Sequence, residues 1–381
     1  MKKKVVMATI LVATSIVTTF FTGCSSNVGT SKDKKQIVFF SNKIEAVDTY
    51  KKLVEKFEHE NPDIDVVVSA PPDATTVLKT RLVKGDAPNI ISLSADRTFA
   101  DFVDANILED LSGKIDFDVI DPVYSQMLKD LELEKVEGNF GVPYALNASG
   151  VIYNKDIFEK LNLSIPKTWD EFINVAKIVK DNGIIPFYFT LKDSWTSLPP
   201  WNTIASTLVS SDSFQKINNL ETTFNELYDE TTDKIIQLMD YGHSDNFGVG
   251  YNDGNTAFAQ GETAMYLQGS YAIAPILTVN PNLNLGMFPL PASNNEEENK
   301  LVSGVDVAIP KDSKNKEESI RFINFLLREE NAKTYIDEQC AFSAVKGVKQ
   351  EDSKFEAFDE FFKNSRVVDF QDHFYPAELP A

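Results

Sequence analysis

A chain of 381 residues with 57 acidic and 37 basic side chains, formally −20, is repelled by nucleic acid and by anionic membrane surfaces, so no nucleic-acid partner is expected. Its 43% hydrophobic content is that of an ordinary globular protein, and its length suggests two domains. Two cysteines and three scattered histidines, without H-E-x-x-H or a zinc-like spacing, argue against a metal centre and against a disulfide framework.

The chain opens with Met1-Lys2-Lys3-Lys4, then 17 uncharged residues from Val5 to Phe21, then Thr22-Gly23-Cys24. Basic residues, an apolar run and small residues, in that order, make an export signal. The run is shorter than the roughly 20 apolar residues a spanning helix wants. Thr22-Gly23-Cys24 resembles the lipobox of bacterial lipoproteins, with Phe21 where an aliphatic residue is usual. The resemblance implies cleavage after residue 23 and acylation of Cys24, with lipid chains such as palmitate as the membrane contact. Residues 24–35 then read as a flexible tether of Ser, Thr, Gly, Lys and Asp that buries nothing. Loss of the three signal lysines deepens the charge to −23. Only Arg81 and Arg97 precede Arg321, so few bidentate anion clamps are available and a neutral ligand is expected. Cys340 reads as a small buried hydrophobe.

Gln36–Phe40, Ile64–Val68 and Asn89–Leu93 are β-rich runs. Between them lie a helix with Val47, Tyr50, Leu53, Val54 and Phe57 on one face, stopped at Asn61-Pro62, and a helix over 75–85 closed by glycine. The order β-α-β-α-β predicts a mostly parallel sheet covered by helices. Gly150–Asn154 begins a second body of the same kind. Its next helix starts at a capping box of Thr168 and Glu171 and buries Phe172, Val175, Ala176 and Val179. Pro186–Leu191 reads as a strand. The stretch from Gly248, "GVGYNDGN", lacks the third glycine of a dinucleotide fingerprint and the spacing of an EF-hand. It reads as a loop, with Asp245, Asn252 and Asp253 as oxygen donors within it.

No nucleophile elbow, phosphate loop or catalytic cluster stands out, and no cofactor is expected. Instead, aromatic side chains gather in glycine- and proline-rich connections: Trp195 and Trp201 in "LKDSWTSLPPWN", Tyr266 and Tyr271 in "YLQGSYAIAP", and Tyr144 in "GVPYALNASG". Aromatic rings on loops are what the apolar face of a sugar stacks on, while carboxylates and amides bind its hydroxyls.

"GVPYALNASGVIYNKDIFEKLNLSIPKTWDEF", "AFAQGETAMYLQGSYAI", "SGVDVAIPKDSKNKEESIRFINFLL", "KLVEKFEHENPDIDV" and "KGDAPNIISLS" resemble, in order and over most of residues 36–348, the sugar-binding lipoproteins of ABC importers. The resemblance implies an α/β fold of the periplasmic-binding-protein type, with two α/β lobes joined by hinge strands and the ligand cleft between them. It places lobe 1 at 36–145 plus about 284–327, and lobe 2 at 146–283 plus about 328–381. The ligand-binding residues it implies, together with the loop chemistry, are Glu45, Asp96, Asn147, Trp195, Trp201, Tyr271 and Asp306. Tyr271 stands where the family commonly has tryptophan. "FQDHFYPAELPA" comes where relatives commonly continue through further helices, so a short or truncated member is expected. A monomeric, lipid-anchored receptor that takes a sugar or oligosaccharide to the transmembrane subunits of an ABC permease follows from the resemblance. It would sit on the outer face of the cell membrane and carry out no catalysis.

Two other classes remain. A secreted glycoside hydrolase needs two carboxylates about the scissile bond, for which Glu45, Asp73 and Asp96 are the acids available. A surface adhesin, or a lipoprotein binding peptide or metal, is the other.

Overall fold

The computed structural model describes residues 34–132, 136–210, 213–303 and 306–375. The signal segment, Cys24 and most of the tether lie outside the described residues. No helix among the described residues is long and apolar enough to cross a membrane.

Lobe 1 begins as the sequence predicts. Strand β1 (Lys35–Ser41), helix α1 (Val47–Glu60), strand β2 (Ile64–Ser69), helix α2 (Ala74–Val83) and strand β3 (Ile90–Leu93) alternate, and β1 pairs in parallel with both β2 and β3. Burial follows the 3.6-residue period on α1, where Tyr50, Leu53, Val54 and Phe57 face the core and Lys51, Lys52 and Glu55 face water. Helices α3 (Arg97–Asp104) and α4 (Pro122–Leu131) complete the first pass. The chain then crosses through β4 (Val142–Pro143) and β5 (Ala145–Leu146) into β6 (Ala148–Asn154).

Lobe 2 is built on β6. Helices α5 (Lys155–Lys160) and α6 (Trp169–Asp181), strand β7 (Ile185–Phe187) and helices α7 (Leu198–Leu208), α8 (Ser213–Asn218), α9 (Phe224–Met239) and α10 (Tyr251–Ala259) lead to β8 (Thr263–Gly269). Helix α11 (Ile273–Val279) and strands β9 (Leu285–Phe288) and β10 (Leu301–Ser303) follow. β6 pairs antiparallel with β8 on one side and with β9 and β10 on the other, while β7 joins β8 in parallel. Gly150 lies where the partner of β6 changes from β10 to β9, and a Cβ there would stand 2.5 Å from the carbonyl oxygen of Phe288. Gly150→Ala is therefore expected to destabilise the protein by about 1–3 kcal/mol, read as a lowered urea midpoint.

The return to lobe 1 is made by β11 (Asp306–Ala308), which pairs with β3 and β4. The boundary expected near residue 284 therefore falls after β10, because β9 and β10 hydrogen-bond to β6. Helices α12 (Lys316–Leu326) and α13 (Glu329–Gln339) pack on α1, so residues just past 328 belong with lobe 1. Tyr335 of α13 stacks on Tyr50 with ring centroids 5.5 Å apart, and the Tyr50 hydroxyl bonds that of Tyr144 at 2.6 Å. Strand β12 (Phe342–Ser343) pairs with β5, helix α14 (Asp359–Lys363) follows, and β13 (Val367–Val368) returns to β10. Cys340 is buried and ends α13, and burial pushes its thiol up to about 11.

Three local expectations are corrected. The Thr168 hydroxyl accepts from Glu171 N–H at 3.4 Å, but the Glu171 carboxylate accepts from Lys167 N–H at 2.8 Å, one residue before the cap, so the box is only half closed. The strand expected to Leu191 ends at Phe187, since only Ile185 to Phe187 has a partner strand. The glycine-rich stretch from Gly248 is not all loop: Gly250 caps α10, donating to the Asp253 carboxylate at 2.9 Å, and the helix runs from Tyr251.

Candidate functional site

The lobe 2 side of the cleft carries three aromatic rings. A short 3-10 turn, Ser194–Ser197, follows the loop after β7 and presents Trp195, 40% exposed. Its neighbour Thr196 donates to the carbonyls of Thr190 and Asp193, both at 2.8 Å, which anchors the turn. Asp193 also accepts from Tyr251 N–H at 2.7 Å, tying the first residue of α10 to the same turn. Tyr271 comes from the 3-10 turn Ser270–Ala272 that ends β8. It packs so tightly on Gly269 that a Cβ there would lie 2.1 Å from its ring.

Trp195 and Tyr251 have centroids 5.0 Å apart, Trp195 and Tyr271 6.2 Å, and Tyr251 and Tyr271 6.4 Å, with planes tilted by 51° to 55°. The three rings thus form one continuous aromatic wall. The Tyr271 hydroxyl donates to Gln268 Oε1 at 3.2 Å, and burial holds its pKa well above the usual phenol value. Both tyrosines are therefore neutral donors at physiological pH.

The loop after β1 faces this wall from lobe 1. Lys43 is half-buried with its ammonium 5.8 Å from the centre of the Tyr271 ring, and Glu45, exposed, is near enough for its charge to bear on Lys43, Tyr251 and Tyr271. The C-terminal ends of parallel strands are where open α/β sheets bind ligands.

Asn147 and Asp306 lie at the crossing. Asn147 is buried between β5 and β6, and the backbone of Asp306 pairs with Leu93 and Pro143. Tyr144 and Tyr266, aromatic candidates by their loop setting, are core residues at 2% and 1% exposure.

Asp96 and Trp201 lie elsewhere, at a C-terminal strap. Asp96 caps α3, accepting from Thr98 N–H at 2.8 Å and Phe99 N–H at 3.3 Å, and its charge acts on His373. Trp201 donates to the Tyr375 hydroxyl at 3.0 Å and lies against Phe224 and Tyr228. Between these two sit Gln371–Phe374, a 3-10 turn whose Gln371 donates to the Tyr228 hydroxyl at 2.9 Å and whose Asp372 N–H donates to Asn202 Oδ1 at 3.0 Å. Phe374 packs on the lobe 1 cluster that holds Phe40, Leu78 and Phe99. His373 pairs with Asp369 at 2.8 Å. Burial alone would lower the His373 pKa, but the charges of Asp369, Asp372 and Asp96 raise it to about 9. Beside the strap, Val123, Met127, Asp130, Val209 and Lys300 line a cavity of about 200 Å³ between α4 and α7.

Of the seven residues singled out in the sequence, Glu45, Trp195 and Tyr271 thus come together, Asp96 and Trp201 are drawn to the strap, and Asn147 and Asp306 mark the crossing. Lys43, Tyr251 and the Asp369–His373 pair were not among them. Lys43 could have been found from its place two residues before Glu45 in the same post-strand loop. Among the described residues no group of three or more His, Cys, Asp or Glu is arranged to hold a metal ion.

Two lobes joined by antiparallel crossings, with a walled cleft at the strand ends, define a receptor of the periplasmic-binding-protein type. The chain belongs to the bacterial extracellular solute-binding protein family, whose profile matches residues 41–333. It is 29% identical over 336 residues to the multiple sugar-binding protein of Streptococcus mutans, covering 84% of this chain and 77% of that protein. It is 25% identical over 387 residues to the melibiose/raffinose/stachyose-binding protein MelE of Bacillus subtilis, covering 95% and 86%. The solved structure of the solute-binding protein RafE in complex with raffinose superposes with a TM-score of 0.78 at 28% identity, covering 90% of this chain and 91% of that one.

Proposed function

We propose that this protein captures a sugar or oligosaccharide between its lobes and delivers it to the permease of an ABC importer, anchored outside the cell by lipid on Cys24. The observation that carries the reading is the wall of Trp195, Tyr251 and Tyr271, held by Asp193 and Gly269 and faced across the cleft by Lys43 and Glu45. Sugar rings stack on such walls, while charged and amide groups fix their hydroxyls. Relatives named for melibiose, raffinose and stachyose support oligosaccharides of that kind as ligands. Asn147 and Asp306, at the crossing, are polar contacts in this reading. Capture works by population shift: a ligand held by one lobe gains contacts with the other only when the lobes close.

The hydrolase reading is weaker. The Asp96 carboxylate is engaged as the cap of α3, and Asp73 sits before α2 in a left-handed turn at φ 51°.

Calorimetric titration of residues 25–381 with raffinose, stachyose, melibiose and glucose, with amino acids and sugar phosphates as controls, is the test. Saturable binding of at least one neutral sugar, recovered intact, is the expected result. Binding only of charged ligands, or cleavage of the sugar, overturns the reading.

A further inference from the structure

Two of the three crossings meet in one short ribbon. Among the described residues β5 and β12 pair with each other and belong to neither lobe's sheet, β5 being reached from β4 and β12 from α13. A two-stranded ribbon has little stability of its own, so what holds its ends decides how it bends. The lobe 1 end is held by phenols. Tyr144, between β4 and β5, sits with Tyr50 of α1 and Tyr335 of α13, all three at most 2% exposed. Their hydroxyls run in a line: Tyr335 to Tyr50 at 3.3 Å, Tyr50 to Tyr144 at 2.6 Å, and Tyr144 to Ser92 Oγ at 3.3 Å. Burial lifts all three phenols above their usual range, so each keeps its proton and passes one bond along the line. Ser92 lies on β3 opposite Val307 of β11, the remaining crossing. The line thus touches the first crossing at Tyr144, the strand beside the second at Ser92, and the helix that feeds the third at Tyr335. The far end of the ribbon is held by Phe342 of β12, whose ring lies 5.1 Å from Phe355 and 5.5 Å from Phe358. Those two belong to the 3-10 turn Ser353–Phe358, which packs on β9 of lobe 2.

We propose that the Tyr335–Tyr50–Tyr144–Ser92 hydroxyl line is the pivot of lobe movement: it holds the crossings to lobe 1 as far as Tyr144 and confines bending to the β5–β12 ribbon. The inference uses the two-lobe closure reading and is independent of which ligand the cleft takes. Rings packed by apolar contact alone fill the same volume but can slide, and cores lose uniqueness of packing before they lose stability. Hydrogen bonds are directional, so linked hydroxyls fix the relative positions of α1, α13, β3 and the first crossing. A fixed pivot lets the lobes sample a narrow set of openings. Loosening it spreads that set, lowers the fraction able to close, and weakens the apparent affinity by the same fraction. Tyr50, Tyr144 and Tyr335 are positioning residues in this scheme.

The test is the distance between lobes, measured by double electron–electron resonance with spin labels at Val83→Cys and Ile236→Cys, exposed positions at the end of α2 and on α9. The protein is residues 25–381, which contain every described residue. Cys340, buried and with its thiol pushed up to about 11, stays unlabelled. Tyr144→Phe is expected to broaden the unliganded distance distribution and to weaken raffinose binding about fivefold, the equivalent of one lost hydrogen bond. The variant carrying Tyr50→Phe, Tyr144→Phe and Tyr335→Phe together keeps the three rings and leaves no phenol short of a partner. It should regain melting temperature lost by Tyr144→Phe and yet keep the broad distribution. A Tyr144→Phe protein with the wild-type width, whatever its melting temperature, overturns the pivot. So does a triple variant in which the narrow width returns along with the melting temperature, since the line then acts through stability alone. If the wild type binds no sugar, the receptor reading falls, while the unliganded widths still decide the pivot.

Discussion

Replacing His373 with alanine is expected to lower the free energy of unfolding by about 3–5 kcal/mol, the usual consequence of leaving one member of a buried ion pair without its partner. Both side chains of the Asp369–His373 pair are only 6% exposed, and Asp369 Oδ2 has no hydrogen-bond partner among the described residues, so removing the imidazole leaves a buried carboxylate unpaired. The pH dependence distinguishes this pair from ordinary packing. Asp369, Asp372 and Asp96 hold the folded-state pKa of His373 at about 9, above its unfolded value of 6.5, so the folded state binds the proton more tightly. Its contribution is fully present below pH 6.5 and is lost as the pH rises through 9. Urea unfolding of the wild type should show a midpoint that falls between pH 6.5 and 9. In His373→Ala that slope should flatten, and an unchanged slope would show that another group titrates there.

Trp195→Ala is expected to weaken sugar binding about thirtyfold, the loss typical of removing an aromatic anchor worth about 2 kcal/mol. The indole is 40% exposed, and its ring neighbours Tyr251 and Tyr271 are wall residues, so stability should change by less than about 1 kcal/mol. Calorimetry beside melting curves checks both halves. A large fall in stability with intact affinity would make Trp195 a packing residue like Trp201, which lies among Phe224, Tyr228 and Tyr375.

The first β-α-β-α-β unit was legible because its strands and helices carry strong local patterns and its pairings join near neighbours in sequence. The placement of Glu45, Trp195 and Tyr271 in the segments that follow β1, β7 and β8 was legible for a related reason, since those segments are marked by local sequence. Tyr251 was hidden because Gly248 to Asn255 looks like a loop by composition. A Gly250 backbone cap and the Asp253 carboxylate start a helix there instead. The contacts that Asp96 and Trp201 make at the strap were not legible, because nothing local shows that residues 369–375 come back across roughly 170 positions to Asn202 and Trp201. The boundary near 284 failed similarly, since pairing of β9 with β6 joins Leu285 to Asn154 and leaves no mark on either segment.

The strap also bears on how far the lobes can part. Its consecutive residues Phe374 and Tyr375 pack in different lobes, so a separation wider than the reach of one peptide unit must first draw one of the two rings out of its cluster.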